Sequence, residues 1–337
     1  MNVFVAGATG VLGRRLVAEL ADRNHAVVGL ARDARGDELV VERGGEPRRG
    51  DVLDRESLRT AAAGCDVLIH AATAIPTGTK PTEEEWLLND RVRAEGARNL
   101  VSVAAEVDAR RLLLQSVTWL ARRPDGAPFD EDAPPNPDRS TRSALDAERI
   151  VRRGGEERGF EVGVLRCGWF YAPDSSHTRE MASGLLDEKF PILGGGPLGR
   201  RDATLSILHV GDAARAFAAA TESDATGLWH VTDDEPVEFD TLVRAFADRL
   251  NAPEPRRIPG WLARPFVGRE PLRLLTRSAP TSNERFRETF DWEPRYPSYR
   301  EGLADVVETW REEGTLAELA GAKSPVAPAA SGGGSPE

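Results

Sequence analysis

Lysine is nearly missing from this chain. Of 44 basic residues only three are lysines, at 80, 189 and 323, so chemistry that rests on an ammonium has few places to draw it from. Tyrosine is almost as scarce, at 171, 296 and 299. Two cysteines, Cys65 and Cys167, adjoin apolar strand-like runs and read as small core residues, and no Cys/His spacing marks a metal site. No apolar run reaches the roughly 18 residues needed to cross a bilayer, and the chain enters an apolar stretch directly, without a basic and apolar leader. A cytoplasmic location is the expectation. Basic blocks are missing too: the net charge of -11 comes from mixed signs, which argues against nucleic acid or an anionic membrane as partner. At 337 residues the chain can hold one large α/β domain, or a core with a smaller lobe, and needs no disulfide to stabilise it.

What is present is concentrated in Val3 to Leu20. The apolar run Val3-Phe4-Val5-Ala6 meets Gly7-x-x-Gly10-x-x-Gly13, and Leu12, Leu16, Val17 and Leu20 then recur at helical spacing. Strand, glycine turn and helix in that order form a phosphate cradle. Gly7 turns the chain off the strand, Gly10 admits a pyrophosphate close to backbone, and Gly13 lets the helix lie on the sheet. A second apolar run, Ala26 to Ala31, arrives where a right-handed crossover delivers the next parallel strand.

Arg32 follows that strand, with Arg35 behind it and Arg14 just past the last glycine. Guanidinium groups there accommodate a 2′-phosphate, where an acidic residue would hold the ribose hydroxyl of NAD, so NADP is expected and NAD stays open. Gly50-Asp51-Val52 is placed to meet the adenine. Asp66 to Thr73 reads as a buried parallel strand whose end, with His70, opens on the ligand crevice. Thr82-x-x-Glu85 caps a long helix, and Arg111 to Ser116 is the next strand, bringing the hydroxyls of Ser116 and Thr118 to the same crevice. A Pro/Asp-rich loop from Pro124 to Asp138 leads to a helix over about Ser140 to Arg153, then a strand over Val162 to Arg166.

Beyond Ala172 the βα alternation is lost. Gly194 to Pro197 reads as a flexible loop, and Arg200 and Arg201 face water or meet a substrate anion. Leu228 to Val231 is a returning strand, Asp240 is placed to cap a helix through Leu250, and Ser298-x-x-Glu301 caps the last helix. The Ala/Gly/Ser/Pro-rich tail reads as disordered.

GATGVLG at 7 to 13, GDVLD at 50 to 54, HAAT at 70 to 73, QSVT at 115 to 118, FYAP at 170 to 173 and HVGDAARA at 209 to 216 together resemble the extended short-chain dehydrogenase/reductase family, NAD-dependent epimerase/dehydratase type. Ser282-Asn283 and WEPRYPSYREGL at 292 to 303 are similar to its carboxyl-terminal pattern, so the likeness covers about residues 1 to 312. The resemblance implies a Rossmann-like, doubly wound parallel α/β sheet with a small C-terminal substrate lobe. Its divisions would be an NAD(P)-binding core at 1–170, remaining core strands plus lobe at 171–315, and a disordered tail at 316–337. By resemblance Gly7, Thr9, Gly10, Val11, Leu12, Gly13, Arg32, Asp51, Val52, Ala71, Ala72 and Thr73 would contact the cofactor, and Ser116 would hold the catalytic Ser/Thr position. A small molecule is the implied substrate, and a homodimer is left open.

The family's general acid is a Tyr with a Lys four residues later, the ammonium one helical turn away lowering a phenol pKa near 10. Aligning Ala147-Glu148 with the family's Ala-Glu puts Ser140 at the Tyr position and Ala144 at the Lys position, and none of the three tyrosines has a Lys four residues on. Arg93 stands where many members carry an Asn before Gly96. Substitutes to weigh are His70 at the crevice and Tyr171 in the FYAP turn, the latter also suited to packing under the lobe. His177 reads as a surface residue in a polar loop, His209 as a structural pin for the lobe, and Trp119, Trp169 and Trp229 as core.

The reading is an atypical oxidoreductase. An electrophile already polarised, such as a conjugated bond or quinone-like carbonyl, can accept hydride without the Tyr, its proton coming from Ser116, Thr118, Tyr171 or water. The alternatives are a non-catalytic NADP-sensing or partner-binding protein, and a nucleotide-sugar epimerase/dehydratase, whose hydroxyl deprotonation relies on the missing Tyr.

Overall fold

The computed structural model describes residues 1–76, 81–193, 202–258 and 276–321. Chain order begins β1 (Asn2–Ala6), α1 (Val11–Asp22), β2 (Ala26–Ala31), α2 (Ala34–Val41), β3 (Glu46–Arg49), α3 (Arg55–Ala61), β4 (Val67–His70), α4 (Glu83–Glu106), β5 (Arg111–Val117), α5 (Arg142–Arg158) and β6 (Glu161–Cys167). Then come β7 (Trp169–Tyr171), α6 (Ser176–Leu186), β8 (Ile192–Leu193), β9 (Thr204–Leu205), β10 (Ile207–His209), α7 (Val210–Glu222) and β11 (Gly227–Val231). The chain finishes with β12 (Val237–Glu238), α8 (Phe239–Leu250), β13 (Arg257–Ile258), α9 (Glu284–Phe290), α10 (Tyr299–Glu312) and α11 (Thr315–Gly321).

A seven-stranded sheet in the order β11-β6-β5-β4-β1-β2-β3 carries the fold, and each of its pairings is parallel. Side chains alternate between its faces. Val3 and Val5 pack with Leu12, Leu16 and Leu20 of α1 and Phe217 of α7, whereas Phe4 and Ala6 pack with Leu58 of α3, Leu100 of α4 and Val151 of α5. Covering both faces is what near-continuous apolar strands require, and it makes the sheet doubly wound. The strand order reverses between β1 and β4, so their carboxyl ends frame the crevice where ligands bind in such sheets.

A third core forms the lobe, from Tyr171, Met181, Leu205, Phe239, Phe246, Val306 and Trp310. Trp310 is fully buried, and its indole N–H donates to the Pro173 carbonyl at 2.8 Å, pinning α10 against the turn after β7.

Local chemistry moves three expected boundaries. Helix α5 starts at Arg142 and not at Ser140, because the Asp138 carboxylate takes hydrogen bonds from the Ser140 backbone N–H (3.0 Å) and hydroxyl (2.7 Å) and holds the chain outside helical geometry. It runs on to Arg158, where Gly159 at φ 79° closes it. Asp240 does not cap α8. It lies inside the first turn and pairs with Arg244 and Arg257. The tail expected to be disordered from 316 begins as α11, since Leu316 and Leu319 find the lobe core. Residues 322–337, Lys80, the Gly194–Pro197 loop and Arg200 and Arg201 lie outside the described residues.

Candidate active site

Steric closeness explains the glycine turn. Gly7 has φ +94°, and a Cβ there would lie 2.6 Å from the Ala72 backbone N, while a Cβ on Gly13 would lie 2.0 Å from the Gly7 carbonyl oxygen. Gly10 is the N-cap of α1 and offers no side-chain cap, so the N–H groups of the first turn keep their donors for an anion. The residues present fit a pyridine dinucleotide: a glycine turn that packs backbone on backbone leads into a helix whose first N–H groups have no side-chain cap. Val11, Leu12 and Gly13 form that first turn, with Thr9 just before it, and Ala71, Ala72 and Thr73 leave β4 directly against Gly7.

Arg32, just after β2, and Arg35, in the first turn of α2, are exposed and make no side-chain hydrogen bond or ion pair among the described residues. Arg14 is placed differently from the sequence expectation. Together with Arg15 it pairs with Asp174 in the turn after β7. Burial pushes the Asp174 carboxyl up, but Arg15 and Arg14 overcome this and hold it below the usual carboxylate range. The Asp51 carboxylate accepts the Leu53 N–H at 2.9 Å, and Val52 is buried with its carbonyl accepting from Asn99 at 3.0 Å.

At the ends of β4 to β6 the candidate proton donors are all tied up or buried. His70 is 2% exposed; burial lowers its pKa to about 4, so it is neutral at physiological pH, with Nε2 3.3 Å from the Arg93 carbonyl. The Ser116 hydroxyl donates to Glu148 Oε1 at 2.5 Å. Glu148 is in turn gripped by Arg166 through Nε (2.9 Å) and Nη2 (2.7 Å), all three side chains buried. Thr118 is buried where a short 3₁₀ turn, Thr118–Ala121, leaves β5. Ser140 donates its hydroxyl to Asp138, and Ala144 packs with Val117 and Leu120.

Tyr171 belongs to the lobe core. Its hydroxyl lies so close to α10 that a Cβ on Gly302 would come within 1.8 Å of it, and burial followed by nearby carboxylates raises its pKa well above 10. His209 caps α7 by accepting the Gly211 N–H at 3.2 Å, lies 3.4 Å from Asp305 of α10 and packs edge-on to Tyr171 and Tyr296. The reading of His177 as a surface loop residue is corrected: it sits half-buried in α6, with Nε2 2.5 Å from the Phe170 carbonyl. Cys65 and Cys167 are free and buried, and no metal-holding cluster occurs among the described residues.

Sequence reasoning missed the buried partners. Glu148 and Arg166 look like ordinary charges in the chain, and only an arginine inside the otherwise apolar strand Val162–Cys167 hinted that a carboxylate must meet it. Asn89, fully buried on α4 with its Oδ1 accepting the Ala74 N–H at 3.2 Å, gave no signal at all.

Sheet order, glycine cradle and crevice define the class of a dinucleotide-binding α/β protein. A model of the NAD dependent epimerase/dehydratase family matches residues 3–230, and the chain belongs to that family. It is 38% identical over 319 residues to a Streptomyces 3-diazoavenalumate denitrifying reductase, covering 90% of this chain and 99% of that protein. A Stigmatella aurantiaca 4-hydroxy-2-methyl-3-oxo-4-farnesyl-3,4-dihydroquinoline-1-oxide ketoreductase is 28% identical over 247 residues, covering 71% of this chain and 70% of the relative. Among solved structures, the Thermus thermophilus UDP-glucose 4-epimerase with NAD superposes with a TM-score of 0.75 at 22% identity, covering 92% of this chain and 99% of that one.

Proposed function

We propose that the chain is an NAD(P)H-dependent reductase whose substrate carbon takes hydride without help from a protein acid, and that this carbon bears a diazo group on an aromatic ring. The observation that carries the reading is the emptied relay. Where the family's phenol and ammonium are expected stand Ser140, engaged with Asp138, and Ala144, packed on Val117 and Leu120. Of the remaining hydroxyl candidates, Ser116 is held by Glu148, Tyr171 lies beneath Gly302, and Thr118 is buried where the 3₁₀ turn leaves β5.

A reaction that needs no proton suits such a site. When bound, the reduced nicotinamide supplies a hydride. At an aryl diazonium carbon a C–H bond then forms and the C–N bond breaks with its electron pair leaving as N₂, so the balance closes without an acid or base. The likeness to a denitrifying reductase over nearly the whole chain supports that choice. What this chain's own residues contribute is orientation. The Gly7 to Gly13 turn holds the pyrophosphate, Ala71 to Thr73 form the wall beside it, and the exposed, unpaired Arg32 favours the 2′-phosphate of NADP. Epimerase chemistry fits less well, since a sugar hydroxyl must lose its proton to a base.

The test mixes the protein, NADPH and a diazo-substituted hydroxyarene and follows reduced-cofactor absorbance together with N₂ release. One N₂ per NADPH consumed is expected. No consumption, with interconversion of UDP-glucose instead, would overturn the proposal. Tighter binding of NADH than NADPH would remove the role given to Arg32.

A further inference from the structure

Four arginines are buried among the described residues, and three of them meet a carboxylate: Arg111 pairs with Glu161, Arg122 with Asp138 and Arg166 with Glu148. Arg93 is the exception. It is 6% exposed, no described carboxylate lies within ion-pair distance, and its guanidinium donates to a neutral acceptor, the Ser140 carbonyl, 3.3 Å from Nη1. Asp90, one turn earlier, meets Arg139 through Oδ2 at 2.7 Å, and its charge acts on Arg93 from beyond ion-pair distance. His70, packed beneath α4, is neutral and brings no countercharge. Burial lowers the Arg93 pKa to about 10, so the group stays cationic at physiological pH. A buried cation with no anion in contact is costly, and a carboxylate acting from farther off offsets only part of that cost.

A second unpaired donor sits one turn away. Asn89 is fully buried, its Oδ1 is taken by Ala74, and its Nδ2 has no partner. Asn89 and Arg93 are four apart, hence on one face of α4. That face abuts the crevice: Ala74 is two residues beyond Ala72, which touches Gly7, and Ser140 opens the approach to α5. Surplus donors and a fixed positive charge at a crevice wall are what an anionic oxygen requires.

We propose that Arg93, with the Asn89 amide, binds an anionic oxygen of the substrate, a phenolate or a carboxylate conjugated with the carbon that takes the hydride. This deepens the reductase reading above, since it rests on the substrate entering that crevice. Arg93 then replaces the absent relay in kind: it holds negative charge in place and transfers no proton, and it selects acidic aromatic substrates over neutral ones.

The test uses full-length protein loaded with NADP and reads binding, so that it stays independent of turnover. The probes are 4-nitrophenol, 4-nitrobenzoate and neutral nitrobenzene. If the anion is a phenolate, bound nitrophenol ionises at lower pH than free nitrophenol, read from its phenolate absorbance, and Arg93→Met abolishes the shift. If it is a carboxylate, nitrophenol shows no shift, but nitrobenzoate binds roughly tenfold or more weaker to Arg93→Met. In either case Arg93→Lys keeps part of the effect, and affinity for nitrobenzene and NADP is unchanged. Equal losses for nitrobenzene and the two acids, or no loss for any, overturn the proposal. Should Arg93→Met fail to fold, the wild-type protein decides: if it shows no lowering of nitrophenol ionisation and also no preference for nitrobenzoate over nitrobenzene, the proposal is overturned. Intact anion binding with no turnover of diazo arenes would sink the reductase reading alone.

Discussion

Glu148 holds two partners at once, and losing either end of that grip leaves a charge in the core. Arg166→Met strands the carboxylate and Glu148→Gln strands the guanidinium, so each is expected to destabilise by about 3–5 kcal/mol, against about 1–2 kcal/mol for Ser116→Ala. Denaturant midpoints check the ranking; equal, small losses for all three would show that water reaches the trio. Asp233 makes a separate prediction. It is 1% exposed, and burial, followed by the charges of Asp234, Glu235 and Asp212, raises its pKa from 3.8 to about 9. Over that range the folded state keeps a proton that the unfolded chain releases, so stability is complete below about pH 4 and falls as pH rises to about 9. Asp233→Asn is expected to flatten that decline between pH 5 and pH 8; an unchanged slope would contradict it. At this scale the sequence is informative about residue types, such as the scarcity of tyrosine and lysine, because they are read directly. Burial of Arg93, Glu148 and Asp233 could not be read, because it depends on elements far apart in the chain; only Arg166, inside an apolar strand, gave a hint.

Elements were legible where their causes are local. Both capping boxes form as their spacing predicts, Thr82 with Glu85 and Ser298 with Glu301, since all the atoms involved lie within one turn. Helix α5 was misjudged at its start because a turn at Asp138 competes with the helix, and α11 was missed because its ordering comes from the lobe core. The glycine turn gives the sharpest contrast among mutants. Gly13→Ala puts a methyl 2.0 Å from the Gly7 oxygen and is expected to cost about 3 kcal/mol of stability along with dinucleotide binding. A Cβ on Gly10 finds only that same oxygen at 3.3 Å, so Gly10→Ala should fold within about 1 kcal/mol of the parent yet bind NADPH much more weakly. Calorimetric titration beside thermal melts separates the two; unimpaired NADPH binding by Gly10→Ala would contradict the placement of the pyrophosphate.

For the molecule as a whole, the sheet could be anticipated because parallel strands separated by helices have few permitted orders. The lobe was expected from the resemblance alone and not from any pattern in the chain, since its core joins segments as distant as Tyr171 and Trp310. Its docking has a test of its own: Gly302→Ala drives a methyl into the Tyr171 hydroxyl, and adding Tyr171→Phe should recover part of the lost stability in a double-mutant cycle. Strict additivity would remove Tyr171 from beneath α10.

The central claim is that hydride reaches a carbon in this crevice with no proton supplied by the protein. The most direct measurement is to run the reaction on a diazo arene with C4-deuterated NADPH in ordinary water, and with ordinary NADPH in D₂O, and to locate the label. The account predicts that deuterium from the cofactor occupies the carbon vacated by N₂, with no label there from D₂O and a solvent isotope effect near one. Solvent deuterium at that carbon, or a rate that slows severalfold in D₂O, would contradict it.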